Sequence, residues 1–147
     1  MFYGRSADVG RTFYNRWMRA VTVQWAGGKF SQDIEVAGHK IRADEGAANG
    51  GDDTGPEPHE LLLAALGSCT AMTLKVYAGR KGWPLRNVHV ELNGATGETG
   101  FVITRALTLE GELDAEQRQR LLEIADKCPV HKTLSGTITI RTTVAAP

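Results

Sequence analysis

The chain has 147 residues, the size of one ordinary domain with room for a sizeable core. Hydrophobic residues make up 41% and charged residues 23%, a balance that argues against a disordered chain. The formal net charge is zero, so electrostatics give no reason to expect a nucleic-acid or membrane partner. We also expect no bilayer-spanning segment and no secretory leader, and take a cytoplasmic protein as the default.

Residues 1–18 differ in composition from the rest of the chain. Five of the ten aromatic residues lie here, interleaved with arginines. A mixture of arginine and aromatic side chains can bind single-stranded nucleic acid, but an extension that folds back or stays mobile is favoured. We therefore expect residues 1–18 to form an N-terminal extension and residues 19–147 to form one domain.

A three-stranded antiparallel meander is predicted for the first part of this domain. Val21, Val23 and Trp25 alternate along the first strand, and turns at 26–28 and 37–39 separate it from strands over 30–36 and 40–43. Residues 44–55 are rich in glycine and acidic residues and lack apolar periodicity. They are predicted to form a mobile loop.

The stretch from Gly55 to Gly82 predicts a long central helix. It opens with two prolines, stops at a glycine, and is apolar almost all round in its first turns, which is typical of a buried helix. Small residues at 67–71 allow close approach, so we expect a second helix to cross there, with Cys69 at the crossing. The residues predicted to share one stripe of the helix are Leu62, Leu66, Cys69, Thr73 and Val76.

A β-hairpin, a second helix and a last strand are predicted for the remainder. Alternating apolar residues over 87–92 and 101–113 predict the hairpin, and those over 137–144 predict the last strand. Asp114 and Gln117 have the spacing of a capping box at the start of the second helix. Pro129 should end that helix at Cys128.

The predicted order is βββ-α-ββ-α-β, which belongs to the α+β class. One chain of this length would struggle to cover a helix that is apolar on every side. We therefore expect a homodimer in which two central helices lie together between sheets, with both cysteines near an interface groove.

Cys69 and Cys128 are the two cysteines of the chain. In a reducing compartment such a pair is more typical of catalysis or redox sensing than of a structural disulfide, although a buried cysteine can also act as a small hydrophobe. If Pro129 begins a short helix, Cys128 is its N-cap. Lys132 and a protonated His131 would then favour its thiolate. Cys69 lies mid-helix, so a cation for it would have to come from elsewhere in the fold or from a partner subunit.

Two cysteines and two histidines could also offer ligands to zinc. However, His59 and Cys69 are ten positions apart on one helix, about 15 Å along its axis, so one ion cannot hold both within a subunit. We expect no metal and no other cofactor. The chain contains no nucleophile elbow, P-loop or dinucleotide fingerprint.

Three segments together carry a family signature. They read G-P-x-P-x-E-L-L-L-A-A-L-G-S-C-T-x-M-T-L-x-x-Y-A at 55–78, K-G-W-P-L at 81–85 and K-C-P-V-H-K-T-L at 127–134. With them, the chain resembles the OsmC-like branch of the OsmC/Ohr family over about residues 20–145. The resemblance implies an intertwined α+β homodimer that reduces hydroperoxides, organic ones preferred. It also implies that Cys69 is the peroxidatic cysteine, Cys128 the resolving cysteine, and an external thiol or dithiol the reductant.

The chain departs from this family at the groups that hold the reactive thiolate, an arginine from an early loop and a glutamate ten positions before the cysteine. The second position is His59 here, with Glu60 beside it, and the early loop carries Lys29, with Arg42 as another substitute. Together with His131, these residues are our candidates for supporting the thiolate. Solvent-exposed charges at strand ends, and a helix-terminal carboxylate at Glu60, are the simpler interpretations. The missing arginine keeps two alternatives open, a non-catalytic dimer that binds a small lipophilic ligand and a redox sensor.

Overall fold

The computed structural model describes residues 18–146, and the predicted α+β class is confirmed. The predicted extension, apart from Met18, lies outside the described residues. The strands are β1 (Val21–Gly27), β2 (Ser31–Val36), β3 (His39–Ala43), β4 (Leu85–Gly97) and β5 (Gly100–Gly111). The helices are α1 (Pro58–Lys81), α2 (Ala115–Ala125) and α3 (Pro129–Ser135), with a short 3₁₀ turn at Ala47–Asn49.

Strands β1, β2 and β3 form the predicted antiparallel meander. The register places Val23, Ile34 and Ile41 side by side, so one face of this sheet is apolar. This face stays open in the single chain, where Val23 and Trp25 are more than half exposed. An open apolar face of this kind marks an interaction surface.

The loop between β3 and α1 is held by a buried carboxylate, which differs from the predicted mobile loop. Asp44 accepts hydrogen bonds from the backbone and hydroxyl of Thr54 at 3.0 and 2.7 Å, from Ser31 Oγ at 3.1 Å and from the Glu45 N–H at 2.9 Å. The Asp44 N–H in turn donates to the Pro56 carbonyl at 3.1 Å, which joins the two ends of the loop. The composition of the loop does not indicate that it is ordered, because a single carboxylate, that of Asp44, accepts most of the hydrogen bonds that hold it.

Replacing Asp44 with asparagine is expected to weaken the acid dependence of stability. The hydrogen bonds from Thr54 above all lower the pKa of Asp44 from 3.8 to about 2. The folded state therefore gains stability from the charged form above pH 3.8, and loses it as the pH falls through about 2. Urea midpoints measured across this range at fixed protein concentration should change less with pH in Asp44→Asn than in the parent. Asp53→Asn, in the same loop but exposed, is the matched control and should follow the parent.

Helix α1 has the predicted length and ends. Pro58 is its first residue, and the Glu60 carboxylate accepts from the Glu57 N–H at 2.8 Å. At the other end Gly82 adopts a left-handed conformation with φ 67°, and the Trp83 N–H donates to the Ala78 carbonyl at 2.9 Å. Local sequence signals are sufficient to define both ends.

The buried face of α1 is rotated from the predicted stripe. Leu62 and Met72 are exposed, whereas the core lies along the side that faces β4, α2 and α3. A Cβ atom on Gly67 would lie 2.7 Å from Leu92 Cδ1, so this glycine admits β4, whereas the predicted approach of a helix occurs at Cys69, where α3 begins. The buried residues of α1 are Leu66, Gly67, Thr70, Thr73, Leu74 and Ala78.

By length and composition alone, α1 is the one helix within residues 18–146 that could cross a bilayer. Core helices of soluble proteins meet the same criteria. A third of the apolar window of α1 is buried, and the helix packs against β4, α2 and α3.

The hairpin and the second helix follow the prediction with two changes. Strands β4 and β5 pair as far as Gly97 and Gly100, so most of residues 93–100, which separate the two predicted strands, is itself strand. The capping box of α2 is present, since Gln117 N–H donates to Asp114 Oδ1 at 2.7 Å and Asp114 N–H donates to Gln117 Oε1 at 3.0 Å. Helix α2 ends at Ala125, earlier than predicted.

The predicted last strand, residues 137–144, is not formed within the described chain. Its apolar residues Ile138, Ile140 and Val144 are 55, 84 and 97% exposed. A strand forms only where a neighbouring strand completes its hydrogen bonds, and no strand of residues 18–146 pairs with this segment.

Candidate active site

Cys69 and Cys128 meet where the middle of α1 approaches the start of α3. Cys128 lies close enough to Cys69 to raise the pKa of its thiol, and both are free thiols. Cys69 is partly exposed, whereas Cys128 is fully buried. The fold therefore pairs one accessible thiol with one buried thiol.

Backbone N–H groups in the first turn of α3 act on both thiols. Cys128 is the N-cap, as the position of Pro129 suggested, and its sulfur accepts from the His131 N–H at 3.3 Å. The Val130 N–H lowers the pKa of the Cys69 thiol. Although Cys69 lies mid-helix in α1, the terminus of another helix therefore favours its thiolate.

Burial raises the pKa of the Cys69 thiol above its ordinary value. The Val130 N–H opposes this change, the sulfur of Cys128 adds to it, and a hydrogen bond with Thr73 lowers the pKa again. The balance within one chain favours the neutral thiol. A reactive thiolate at Cys69 therefore needs a further positive group nearby.

An arginine that the sequence did not single out lies next to the pair. One guanidinium nitrogen of Arg105 donates to Thr70 Oγ1 at 2.9 Å, and Thr70 Oγ1 lies 3.8 Å from Cys128 Sγ. The other nitrogen contacts Asp126 Oδ1 at 2.8 Å. His131 Nδ1 lies 3.8 Å from the same carboxylate oxygen. These side chains form one polar cluster behind Cys128.

A cleft of about 510 Å³ opens beside this cluster, between β5, α2 and α3. Arg105, Asp126 and His131 form its polar end. Through Arg105 and Thr70 the cleft connects with the sulfur of Cys128. The apolar side chains in its wall include Leu66, Phe101, Ile103, Leu107 and Leu122.

The other candidate residues have partners away from the cysteines. Lys29 pairs with Asp52 at 3.7 Å, and Arg42 pairs with Asp33 at 2.7 Å across neighbouring strands. The carboxylate of Glu60 caps α1.

His59 packs against Phe101, a residue of the cleft wall, with ring centroids 5.3 Å apart and the rings tilted by 42°. Of the five candidate supports, His131 is the one that hydrogen bonds directly to a cysteine sulfur, and it does so through its backbone.

Arg105 had a signal in the sequence that could have revealed it. It is the charged member of an alternating apolar series at 101, 103, 105, 107 and 109. An arginine at an inward position of a strand requires a buried polar partner. Thr70 offered no such signal, because a threonine inside an apolar helix is ordinary.

The family of this protein follows from a comparison of its sequence with known families. The sequence profile of the family described as OsmC-like protein matches residues 50–143, which is more than half of the chain. The chain therefore belongs to the OsmC-like family.

Solved structures share this fold at low sequence identity. An OsmC-like protein from Mycoplasma pneumoniae superposes with a TM-score of 0.71 at 18% identity, covering 82% of this chain and 89% of that chain. An organic hydroperoxide resistance protein OsmC from Legionella pneumophila gives 0.62 at 18% identity, covering 82 and 90%. The organic hydroperoxide resistance protein OhrB of Bacillus subtilis gives 0.59 at 23% identity, covering 82 and 92%. No match was found among proteins of curated function.

Proposed function

We propose that this protein is a cysteine-dependent peroxidase that reduces organic hydroperoxides through Cys69 and Cys128. The observation that carries the proposal is the proximity of the two thiols of the chain, one partly exposed and one buried. The names of the Legionella pneumophila and Bacillus subtilis proteins support hydroperoxides as the substrate class. Cys69 is the cysteine that a peroxide can reach, so it takes the peroxidatic role and Cys128 the resolving role.

In the first step the Cys69 thiolate attacks the O–O bond. An S–O bond forms, the O–O bond breaks, and the alkoxide takes up a proton to leave as an alcohol. In the second step the Cys128 thiolate attacks the sulfur of the sulfenic acid, an S–S bond forms, and hydroxide leaves as water after protonation. Two equivalents of an external thiol, or one dithiol, then reduce the disulfide and are themselves oxidised.

The proposed enzyme acts as a homodimer. Two observations support the second copy, the open apolar face of the β1–β3 sheet and the unpaired residues 137–144 with their exposed alternating apolar side chains. A strand from one copy that pairs with a sheet edge of the other would satisfy both. In such a dimer, Lys29 on the loop between β1 and β2 and Arg42 on β3 could lie close to Cys69 of the other copy.

The second copy could supply the positive group that the thiolate of Cys69 needs. Burial raises the pKa of this thiol. Within one chain, Lys29 and Arg42 form ion pairs with aspartates and not with Cys69. An opposite charge within a few ångströms lowers the pKa of a thiol by about one to three units. We assign Lys29 and Arg42 of the second copy as the groups that could supply it. A thiol cycle of this kind suits the reducing cytoplasm.

Treatment of the reduced protein with one equivalent of cumene hydroperoxide tests the proposal. We expect rapid loss of both free thiols and a decrease in intact mass by two hydrogens per chain, followed by full recovery on addition of a dithiol. Thiol loss should depend on native fold, so the urea-unfolded chain is the control. Thiols that survive for minutes in folded protein would make the peroxidase proposal wrong.

A second function is favoured by the cleft of about 510 Å³ with its apolar wall. A small lipophilic ligand could bind there without chemistry at the thiols. Native mass spectrometry of freshly purified protein would detect such a ligand. A bound ligand together with no peroxide turnover would favour this function over the peroxidase.

A further inference from the structure

Arg105 is a nearly buried arginine on the apolar face of β5, with a side chain that is 12% exposed. Its two contacts are the hydroxyl of Thr70 and the carboxylate of Asp126. A buried guanidinium is costly unless its donors are used. Ile103 and Leu107 flank it on the same face, so packing alone would favour an aliphatic side chain at this position.

The hydroxyl of Thr70 links Arg105 to Cys128. Thr70 donates its hydroxyl proton to the Leu66 carbonyl at 2.8 Å, accepts from Arg105, and lies 3.8 Å from the Cys128 sulfur. With its proton used in this way, the Thr70 oxygen is an acceptor for the S–H of Cys128. Once Cys128 loses that proton, the hydroxyl can turn and donate to the thiolate, because the Leu66 carbonyl keeps its helical N–H bond.

We propose that Arg105 is a positioning residue for Cys128, and that it acts through Thr70 to favour the thiolate that condenses with oxidised Cys69. The role in turnover rests on the proposed peroxidase, whereas the effect on Cys128 ionisation does not. Condensation forms the S–S bond and breaks the S–O bond, and the departing hydroxide takes up the proton that Cys128 released. Arg105 touches no reacting atom. It fixes the hydroxyl that contacts Cys128 and supplies positive charge behind it.

Removing the charge of Arg105 and removing the charge of Asp126 should change the ionisation of Cys128 in opposite directions. Asp126 neutralises Arg105 in the resting site, so loss of the guanidinium disfavours the Cys128 thiolate and loss of the carboxylate favours it. A purely structural role would not give shifts of opposite sign. The titratable or charged groups nearest to Cys128 in the chain or in the polar cluster are Cys69 on α1, Arg105 on β5, Asp126 and Lys127 before α3, and His131 and Lys132 on α3.

The test uses the full-length protein with Cys69→Ser, so that Cys128 is the one remaining thiol and no peroxide chemistry is required. Thiolate ultraviolet absorbance as a function of pH then reports the ionisation of Cys128. We expect Arg105→Met and Thr70→Val to raise the midpoint by about one pH unit, and Asp126→Asn to lower it. The conservative variants Arg105→Lys and Thr70→Ser should stay close to the parent.

A second measurement uses the chain with both cysteines and one equivalent of cumene hydroperoxide. Arg105→Met should slow disulfide formation by about tenfold at neutral pH, because the population of Cys128 thiolate falls by that factor. Dimedone trapping should show that Cys69 sulfenic acid accumulates in this variant and not in Arg105→Lys.

Unchanged midpoints in Arg105→Met and Thr70→Val would overturn the inference, as would an upward shift in Asp126→Asn. The side chain of Asp126 is 68% exposed, so Asp126→Asn should fold and can be titrated even if loss of Arg105 prevents folding. Shifted midpoints in a protein that never reduces peroxide would refute the peroxidase and support the effect of Arg105 on Cys128. Normal turnover with unshifted midpoints would refute the role of Arg105 and support the peroxidase.

Discussion

Replacing Cys69 with serine is expected to abolish peroxide reduction, lowering the rate by at least about a thousandfold. The thiolate is the nucleophile in this chemistry, and a serine hydroxyl at the same place stays protonated and attacks poorly. Cys69 is the partly exposed member of the pair, whereas Cys128 has no exposed surface. The measurement is consumption of cumene hydroperoxide in the presence of excess dithiol, with circular dichroism to verify the fold.

Cys128→Ser is the matched variant, and it should fail at a different step. Its Cys69 should still react once with peroxide, and dimedone should trap one sulfenic acid per chain because no partner thiol can form the disulfide. The two serine variants thus separate the first step from the second. If Cys69→Ser still reacts once and Cys128→Ser does not react, the two roles are reversed.

Helix ends were predictable from the sequence because their signals are local. Pro58 and Gly82 define α1, and Asp114 with Gln117 defines the start of α2. The N-cap position of Cys128 followed from the adjacent proline in the same way. Each of these features depends on residues within one helical turn of one another.

Features that depend on distant pairing were not predictable. The rotation of α1 depends on which side β4 covers, and the contact of Gly67 with Leu92 is part of that packing. Arg105 and Thr70 are 35 positions apart in the chain, and they meet only because the β4–β5 hairpin packs on α1 through β4. The resemblance to the family implied roles for the two cysteines, but the residues around them could be identified only from the fold.

The unformed strand at residues 137–144 has the same physical cause. Alternation describes a segment suited to a sheet, but pairing needs a free edge within reach. The edges of the β1–β3 sheet and of the β4–β5 hairpin are open, yet the segment pairs with neither in the described chain. The alternation alone therefore could not show whether a strand edge lies within reach of this segment.

Deleting residues 137–147 is expected to convert the proposed dimer into a monomer or an insoluble chain. The segment carries exposed Ile138, Ile140 and Val144, which a second copy would cover. Each fully buried aliphatic side chain contributes about 1.5–3 kcal/mol, so their combined loss exceeds what most dimers can tolerate. Molar mass from light scattering across a range of concentrations is the measurement.

A pair of point variants tests whether one strand face makes the contact. Ile140→Asp places a charge on the apolar face and should raise the dimer dissociation constant at least about a hundredfold, whereas Thr139→Asp points to the other face and should have little effect. Equal effects would exclude pairing through one face, and a monomeric full-length chain would refute the dimer. The monomeric variant also tests the activation of Cys69. If its first reaction with peroxide remains fast, then the positive group at Cys69 comes from its own chain, and the second copy serves stability and not chemistry.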